Sequence, residues 1–372
     1  MQHWHRSMRK WAPNMALINI SSPHVQRPTK TADIMRLVII ATIPGLIAMT
    51  FFFGWGTLIN VLLASLVALG CEAACLKARK RPLMFFLKDN SALLTAVLLG
   101  LSLPPFAPWW VTGCAVFVSI VIAKHLYGGL GQNPFNPAMV GYALVLISFP
   151  VEMTRWTSPF ELSGDSWNLL SFADTFKIIF VGWSETLASY NYIDGYTGAT
   201  PLDILKHRNG LTNEEVWQSS SVLANVGAWY AVSLAYFVGG IFLIYRKIFT
   251  WHAPITLLLT LTLLSALFFA VDPDTYADPL IHLTTGATML GAFFIVTDPV
   301  SSATSNKGKI IFAAGIGILV YIVRTWGSYP DAMAFAVMLM NLSAPFIDQY
   351  SQPRSYGHRR ANKGLNSKGK SQ

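Results

Sequence analysis

Residues 34–53 read IMRLVIIATIPGLIAMTFFF, and after Gly54-Trp55-Gly56 residues 57–76 read TLINVLLASLVALGCEAACL. Each run carries a single ionisable side chain other than cysteine, Arg36 in the first and Glu72 in the second. A helix of twenty residues rises about 30 Å, the thickness of a bilayer's hydrocarbon core. Similar runs recur to the end of the chain. Composition agrees: 53% of the 372 residues are hydrophobic and only 12% are charged, too few to solvate a soluble surface of this size. The fold class expected is an all-α polytopic membrane protein.

Ten spans can be drawn, at about 34–53, 57–76, 90–104, 109–126, 137–150, 221–245, 253–271, 281–297, 310–326 and 331–349. The third and fifth are short for a 30 Å core and read as tilted, broken or half-buried segments. The basic residues fix an orientation. One set of intervals carries Arg6, Arg9, Lys10, Arg27 and Lys30, then Lys77, Arg79, Lys80 and Arg81, then Arg246, Lys247, Lys307 and Lys309, and finally the tail residues Arg354 to Lys370. The four short connections on the other side contain no Lys or Arg. The net charge of +9 is therefore a topological signal rather than a nucleic-acid patch. Positive-inside places both termini in the cytoplasm and residues 151–220 outside. The N-terminus lacks the short apolar core and small-residue cleavage site of a signal peptide and reads as a cytoplasmic arm.

Five organisational units follow: an arm (1–33), a five-helix half (34–150), an extracytoplasmic segment (151–220), a second five-helix half (221–349) and a basic tail (350–372). An odd-numbered repeat inverts its second copy. Weak similarity supports such a repeat: LLTAVLLGLSLP (93–104) against TMLGAFFIVTDP (288–299), and NPAMVGYALVL (136–146) against PDAMAFAVMLM (330–340). Inverted halves make their seam the natural place for a substrate, ion or cofactor. Within 151–220, FKIIFVGW (176–183) is too short to span and reads as an interfacial or packed piece, and Thr212 caps a short helix.

Self-contained catalysis finds no support, since HExxH, CxxC, P-loop and GxGxxG patterns are missing and no two histidines stand at i,i+4. Cys71, Cys75 and Cys114 are one short of a four-thiolate cluster. Cys71 and Cys75 share a helix face, as packing residues or as half of an inter-subunit metal site.

The polar stretch Asp194-Gly195-Tyr196-Thr197-Gly198-Ala199-Thr200-Pro201-Leu202 is by composition a turn, with hydroxyls at Thr197 and Thr200 among residues too small to shield them. This stretch, GLGQNPFNPAMVGY (129–142), GATMLGAFFIVTDPVSS (286–302) and SSPHVQRPTKTADIMR (21–36) resemble the RnfD family, the D subunits of the Rnf complex. That complex is an ion-pumping ferredoxin–NAD oxidoreductase. A related family, NqrB, provides the B subunits of the sodium-pumping NADH–quinone reductase and usually has a longer N-terminal arm. The resemblance covers about Ser21 to Tyr350.

The resemblance implies FMN joined by a phosphoester to the last Thr of D-x-x-[ST]-G-A-T. Here that is Thr200, with Asp194, Thr197, Gly198 and Ala199 completing the motif read by a flavin transferase. It implies a redox subunit of a translocase in the bacterial cytoplasmic membrane, with Thr200 on the periplasmic face and no catalysis of its own. It also implies a second covalent-FMN subunit, Fe–S subunits and small membrane subunits as partners, besides membrane lipids, and a non-covalent riboflavin in the membrane part. Thr285-Gly286-Ala287-Thr288 repeats TGAT inside the eighth span, but His282 stands where the Asp belongs. Those threonines read as small residues that let helices approach.

Ionisable residues within spans cost about 2.5–3.5 kcal/mol each on insertion scales. Glu72, close in sequence to Lys77 and Arg79, Asp298 and Arg324 each admit two readings. One is snorkelling or local pairing; the other is an ion path or the surroundings of a second flavin. Asn133 and Asn136, in NPFNP, mark either a helix break able to bind a cation or a surface turn. The rival from another class is a non-redox transporter or channel of inverted repeats, in which 194–202 is only a turn.

Overall fold

The computed structural model describes residues 30–157, 159, 170–182, 197–208, 210–224, 226–329 and 331–351. Asp194, residues 1–29 of the N-terminal arm and most of the basic tail lie outside the described residues, so what is expected of them rests on the sequence.

The first half contains α1 (Thr31–Phe53), α2 (Gly56–Ala78), α3 (Ser91–Ser102), α4 (Trp109–Leu126) and α5 (Pro137–Ser148). The polar segment adds β1 (Trp156–Thr157), α6 (Phe172–Phe180), β2 (Thr197–Gly198), α7 (Pro201–Lys206) and α8 (Asn213–Ser219). The second half has α9 (Gly227–Tyr245), α10 (His252–Val271), α11 (Pro279–Thr284), α12 (Thr288–Leu290), α13 (Asn306–Trp326) and α14 (Met333–Ser351). α12 continues through Ile295 in wider turns, where Val296 N–H donates to Gly291 O five residues back.

Six helices are long and apolar enough to cross a membrane: α1, α2, α4, α9, α10 and α13. Their outward faces carry leucines at helical spacing, such as Leu62 and Leu66 on α2 and Leu259, Leu263 and Leu267 on α10, all more than half exposed. Stripes of that size on several helices belong against lipid rather than water. Several serine and threonine hydroxyls inside the spans are satisfied by bonding back one turn, as Thr50 does to Leu46 O, Ser65 to Val61 O and Ser265 to Leu261 O.

The principal packing partners repeat between the halves. α2 packs on α3 and α4, and α10 packs on α11 and α13; α4 meets α5, and α13 meets α14. α1 lies against α3 as α9 lies against α12. The seam is made by like elements, α1 on α9 and α5 on α14. At that seam a Cβ on Gly239 would be driven into Ala41 O, so only glycine allows α9 and α1 to approach this closely.

The eighth span departs from expectation. It is not a continuous helix over 281–297 but α11 and α12 joined through Gly286 at φ +66°. α3, the third span, also starts inside the protein, after the five-residue helix Leu83–Leu87 and the left-handed Asn90 at φ +60°. At 12 residues each, α3 and α5 rise only about 18 Å. The 176–183 segment, expected as interfacial or packed, begins within α6, whose Ile178 and Ile179 are buried while Phe172 and Phe176 are exposed.

Candidate functional site

Thr200 follows β2 by two residues. Trp156 pairs with Gly198 and Thr157 with Thr197, so the two ends of the polar segment are laced together just before Thr200. Pro201 is the first residue of α7, where its missing N–H costs nothing. Thr200 caps that helix, its Oγ1 accepting from Asp203 N–H at 3.3 Å. Thr200 is half-buried and its neighbour Ala199 is exposed. Beyond it, Asp203 faces His207 at 3.0 Å.

α7 is tied to the second half by Lys206, whose Nζ donates to Val323 O (2.9 Å), Arg324 O (3.3 Å) and Tyr329 O (2.6 Å). An ammonium at the carbonyl end of α13 satisfies acceptors that the helix leaves open. Burial lowers the Lys206 pKa from its usual range, against the opposing pull of Asp203.

Thr200 also lines a cavity of about 120 Å³ at the seam of the halves. Its wall draws Met49 from α1, Met139 and Tyr142 from α5, Trp229 and Tyr236 from α9, and Met333 from α14. Gly286 and Ala287, the break in the eighth span, are also on it.

Arg324 holds that break. Its Nη1 donates to His282 O at 2.7 Å and its Nη2 to Thr288 Oγ1 at 2.9 Å, and Nη2 lies 3.1 Å from Asp331 Oδ1. The other oxygen of Asp331 accepts from Ala287 N–H at 2.6 Å. Arg324 is therefore neither snorkelling nor paired within its own turn. Thr288 is not merely small, since it links His282 O to Arg324, and Thr285 donates to Ile281 O. Both threonines are fully buried, out of reach of a second protein.

A counterpart exists in the first half. Lys124, at the end of α4, donates to both oxygens of Glu72 at 2.9 Å and to the hydroxyl of Ser91, the first residue of α3, at 2.8 Å. His125 Nε2 lies 2.8 Å from Glu72 Oε2. Glu72 thus pairs with the fourth span rather than with Lys77 or Arg79. In each half a buried cation from the fourth helix holds a hydroxyl where the interrupted third element resumes.

Ser91 and Lys124 line a second, larger cavity of about 720 Å³ at the opposite end of the seam. Asn133, Asn136, Trp251 and Asp298 share its wall. Asp298 accepts from Ser301 Oγ at 2.7 Å. Asn136 Oδ1 caps α5 by accepting from Ala138 and Met139 N–H, so NPFNP is a capped helix start rather than a break within a helix. Asn133 donates to Phe135 O, and its Oδ1 has no partner. The cavities bring Thr200, Gly286 and Asp331 together at one end and Glu72's partner Lys124, Asn133, Asn136 and Asp298 at the other. Arg324 serves the first group; Glu72 stands behind the second. Among the described residues no group of three or more His, Cys, Asp or Glu is placed to hold a metal.

Sequence reasoning missed Lys124, Asp331, Trp229 and Tyr236. The rule that singled out Glu72 also applied to Lys124, a lysine inside the fourth span. The two aromatic residues carried no such mark.

Ten apolar segments in two like-packed halves, with cavities along the seam, define a polytopic α-helical membrane protein. The chain belongs to the NQR2, RnfD, RnfE family, whose model matches residues 18–357. Similar proteins include the one named as the D subunit of the ion-translocating oxidoreductase complex in Cellvibrio japonicus, 52% identical over 359 residues covering 95% of this chain and 98% of that protein. The proteins of the same name from Ectopseudomonas mendocina and Pseudomonas aeruginosa strain LESB58 are each 52% identical, covering 94% of this chain and 99% of each relative.

Proposed function

We propose that this chain is the electron-carrying membrane subunit of an ion-translocating oxidoreductase complex, with FMN attached through a phosphoester to Thr200. The name shared by relatives at 52% identity supports the complex and favours the D subunit over its quinone-reductase relative. The observation that carries the site is the position of Thr200: a half-buried threonine, next to exposed Ala199, in the lining of an apolar, aromatic-lined cavity.

The residues present suit such a group. A phosphodiester is anionic and belongs in contact with water, next to exposed Ala199, while a flavin's ring system is flat, with one apolar and one polar end. When bound, flavin supplies reversible one- and two-electron chemistry. The chain supplies the tether, the wall and the exclusion of water. Asp194, Thr197, Gly198 and Ala199 are the transferase's recognition sequence in this reading. The positive-inside pattern puts Thr200 on the periplasmic face of the inner membrane and both termini in the cytoplasm. The 720 Å³ cavity, with Asn133, Asn136 and Asp298 on its wall, is the place for a non-covalent riboflavin.

The test is direct. The chain is produced with its flavin transferase, denatured and run on a gel. Flavin fluorescence is expected in the unsubstituted band and in Thr288→Val, and is expected to vanish in Thr200→Val. A fluorescent Thr200→Val band would sink the assignment.

A further inference from the structure

The turn that ends α2 gathers positive charge without answering it. The helix closes with Lys80 N–H donating to Lys77 O and Arg81 N–H to Leu76 O, with Lys80 left-handed at φ +53°. Glycine is the favoured residue at that place in the turn; here it is a lysine. The turn aims two arginines at one acceptor. Arg79 Nη1 donates to Gly128 O at 3.0 Å, and Arg81 Nη1 donates to the same oxygen at 3.5 Å. A guanidinium carries five N–H donors, so most of both forks is left over.

Among the described residues no carboxylate lies within 4.0 Å of either guanidinium, or of the ammonium groups of Lys77, Lys80 and Lys88. Asp89, the acid nearest in sequence, already accepts from the backbone N–H and the hydroxyl of Ser91. Two cations drawn onto one neutral carbonyl repel each other, and an anion held by both forks removes that repulsion.

Beside the charges lies an apolar surface. In the five-residue helix Leu83–Leu87, Met84 and Phe85 are 70% and 74% exposed, and Leu126 at the end of α4 is 75% exposed. The bonds to Gly128 bring these two stretches to the same end of the bundle. Phe86 lies under Arg81, whose Cζ is 5.5 Å from the ring centroid. The surface stands where two helices long enough to cross a membrane, α2 and α4, come to an end. Hydrocarbon meets headgroups at that level, so bare methionine and phenylalanine enter lipid there rather than water.

We propose that Arg79 and Arg81 hold the phosphate of an anionic phospholipid, whose acyl chains lie over Met84, Phe85 and Leu126. Lys77, Lys80 and Lys88 add positive charge around the headgroup. A zwitterionic lipid carries the same phosphate with a quaternary ammonium beside it, which this cluster repels. Free phosphate lacks the chains.

The full chain in a non-ionic detergent is heated while phosphatidylglycerol, phosphatidylcholine or inorganic phosphate is titrated in, since a ligand of the folded state raises the unfolding midpoint with its concentration. Phosphatidylglycerol is expected to raise the midpoint, and the other two to leave it nearly unchanged. Arg79→Gln and Arg81→Gln are each expected to move the phosphatidylglycerol titration to about fivefold higher concentration, the usual worth of one basic residue at a lipid headgroup. Phe85→Ser is expected to weaken binding with every charge in place. Arg246→Gln, which removes the same charge from the end of α9, is expected to leave the titration where it was. Lipid-free midpoints report the fold of each variant separately. An equal rise with phosphatidylcholine, or an equal loss in Arg246→Gln, would reduce the effect to general attraction and overturn the site. A rise with inorganic phosphate matching that with phosphatidylglycerol would leave an anion site without a lipid and overturn it as well. No response to phosphatidylglycerol would remove the lipid and turn the patch over to a protein partner.

Discussion

Arg324 shows what a charge inside a membrane protein needs: its side chain is 1% exposed, and it is bonded to a carbonyl of α11, a hydroxyl of α12 and a carboxylate just before α14. Removing Asp331 leaves that guanidinium buried without its counter-charge. Breaking one partner of a buried pair typically costs about 3–5 kcal/mol, and Asp331's partial exposure places the loss near the lower figure. Asp331→Ala is thus expected to lower the unfolding midpoint in nanodiscs clearly, whereas Asp331→Glu recovers part of it. Equal midpoints for Asp331→Ala and the wild type would show that the pair is not holding the eighth span. Arg324 and Glu72 were legible in the sequence as charges out of place. Their pairings with His282 O and Lys124 were not, because these lie 42 and 52 residues away and only packing brings them near. Thr200 was legible only by resemblance. Its composition offered a turn, and nothing in it announced that Pro201 starts a helix, capped by Thr200, beside a cavity.

The ten apolar segments were legible because hydropathy and length are local properties. Shortness marked the third and fifth spans as well, but not the eighth, because the break at Gly286 depends on Arg324 and Asp331 being present to satisfy its backbone and side-chain groups. Lipid cannot satisfy them, so a broken helix survives only where protein encloses it. The same holds for close helix contact: Gly239 reads as one small residue among several, and its role appears only when Ala41 O is found against it. A side chain there meets backbone, which cannot rotate away. Gly239→Val is expected to push α9 from α1 and cost about 1–3 kcal/mol as overpacking. Gly113→Val, where a Cβ would meet nothing within 4 Å, serves as the neutral comparison. Thermal unfolding of the two variants side by side measures the difference; equal midpoints would mean the seam tolerates the extra bulk.

At the scale of the molecule, the two halves place like things at opposite ends: a resumed third helix, a buried cation holding its hydroxyl, and a cavity beside it. Sidedness then decides which cavity faces which compartment. The basic clusters argue that the end bearing Thr200 is outside, since the connections sharing its side are free of Lys and Arg except within 151–220 itself. A chain with Cys71, Cys75 and Cys114 replaced by serine offers a clean background for labelling. Ser189→Cys on it is expected to react with a membrane-impermeant maleimide in intact cells, and Ser367→Cys only after permeabilisation. The reverse pattern would put Thr200 in the cytoplasm and exchange the compartments of the two cavities. It would also require the cluster of Lys77, Arg79, Lys80 and Arg81 to have crossed the membrane, against the strongest topological determinant the chain carries. The expected pattern, in turn, puts the 120 Å³ cavity on the periplasmic side and the larger one on the cytoplasmic side, so that the seam lined by α1, α5, α9 and α14 runs between two compartments.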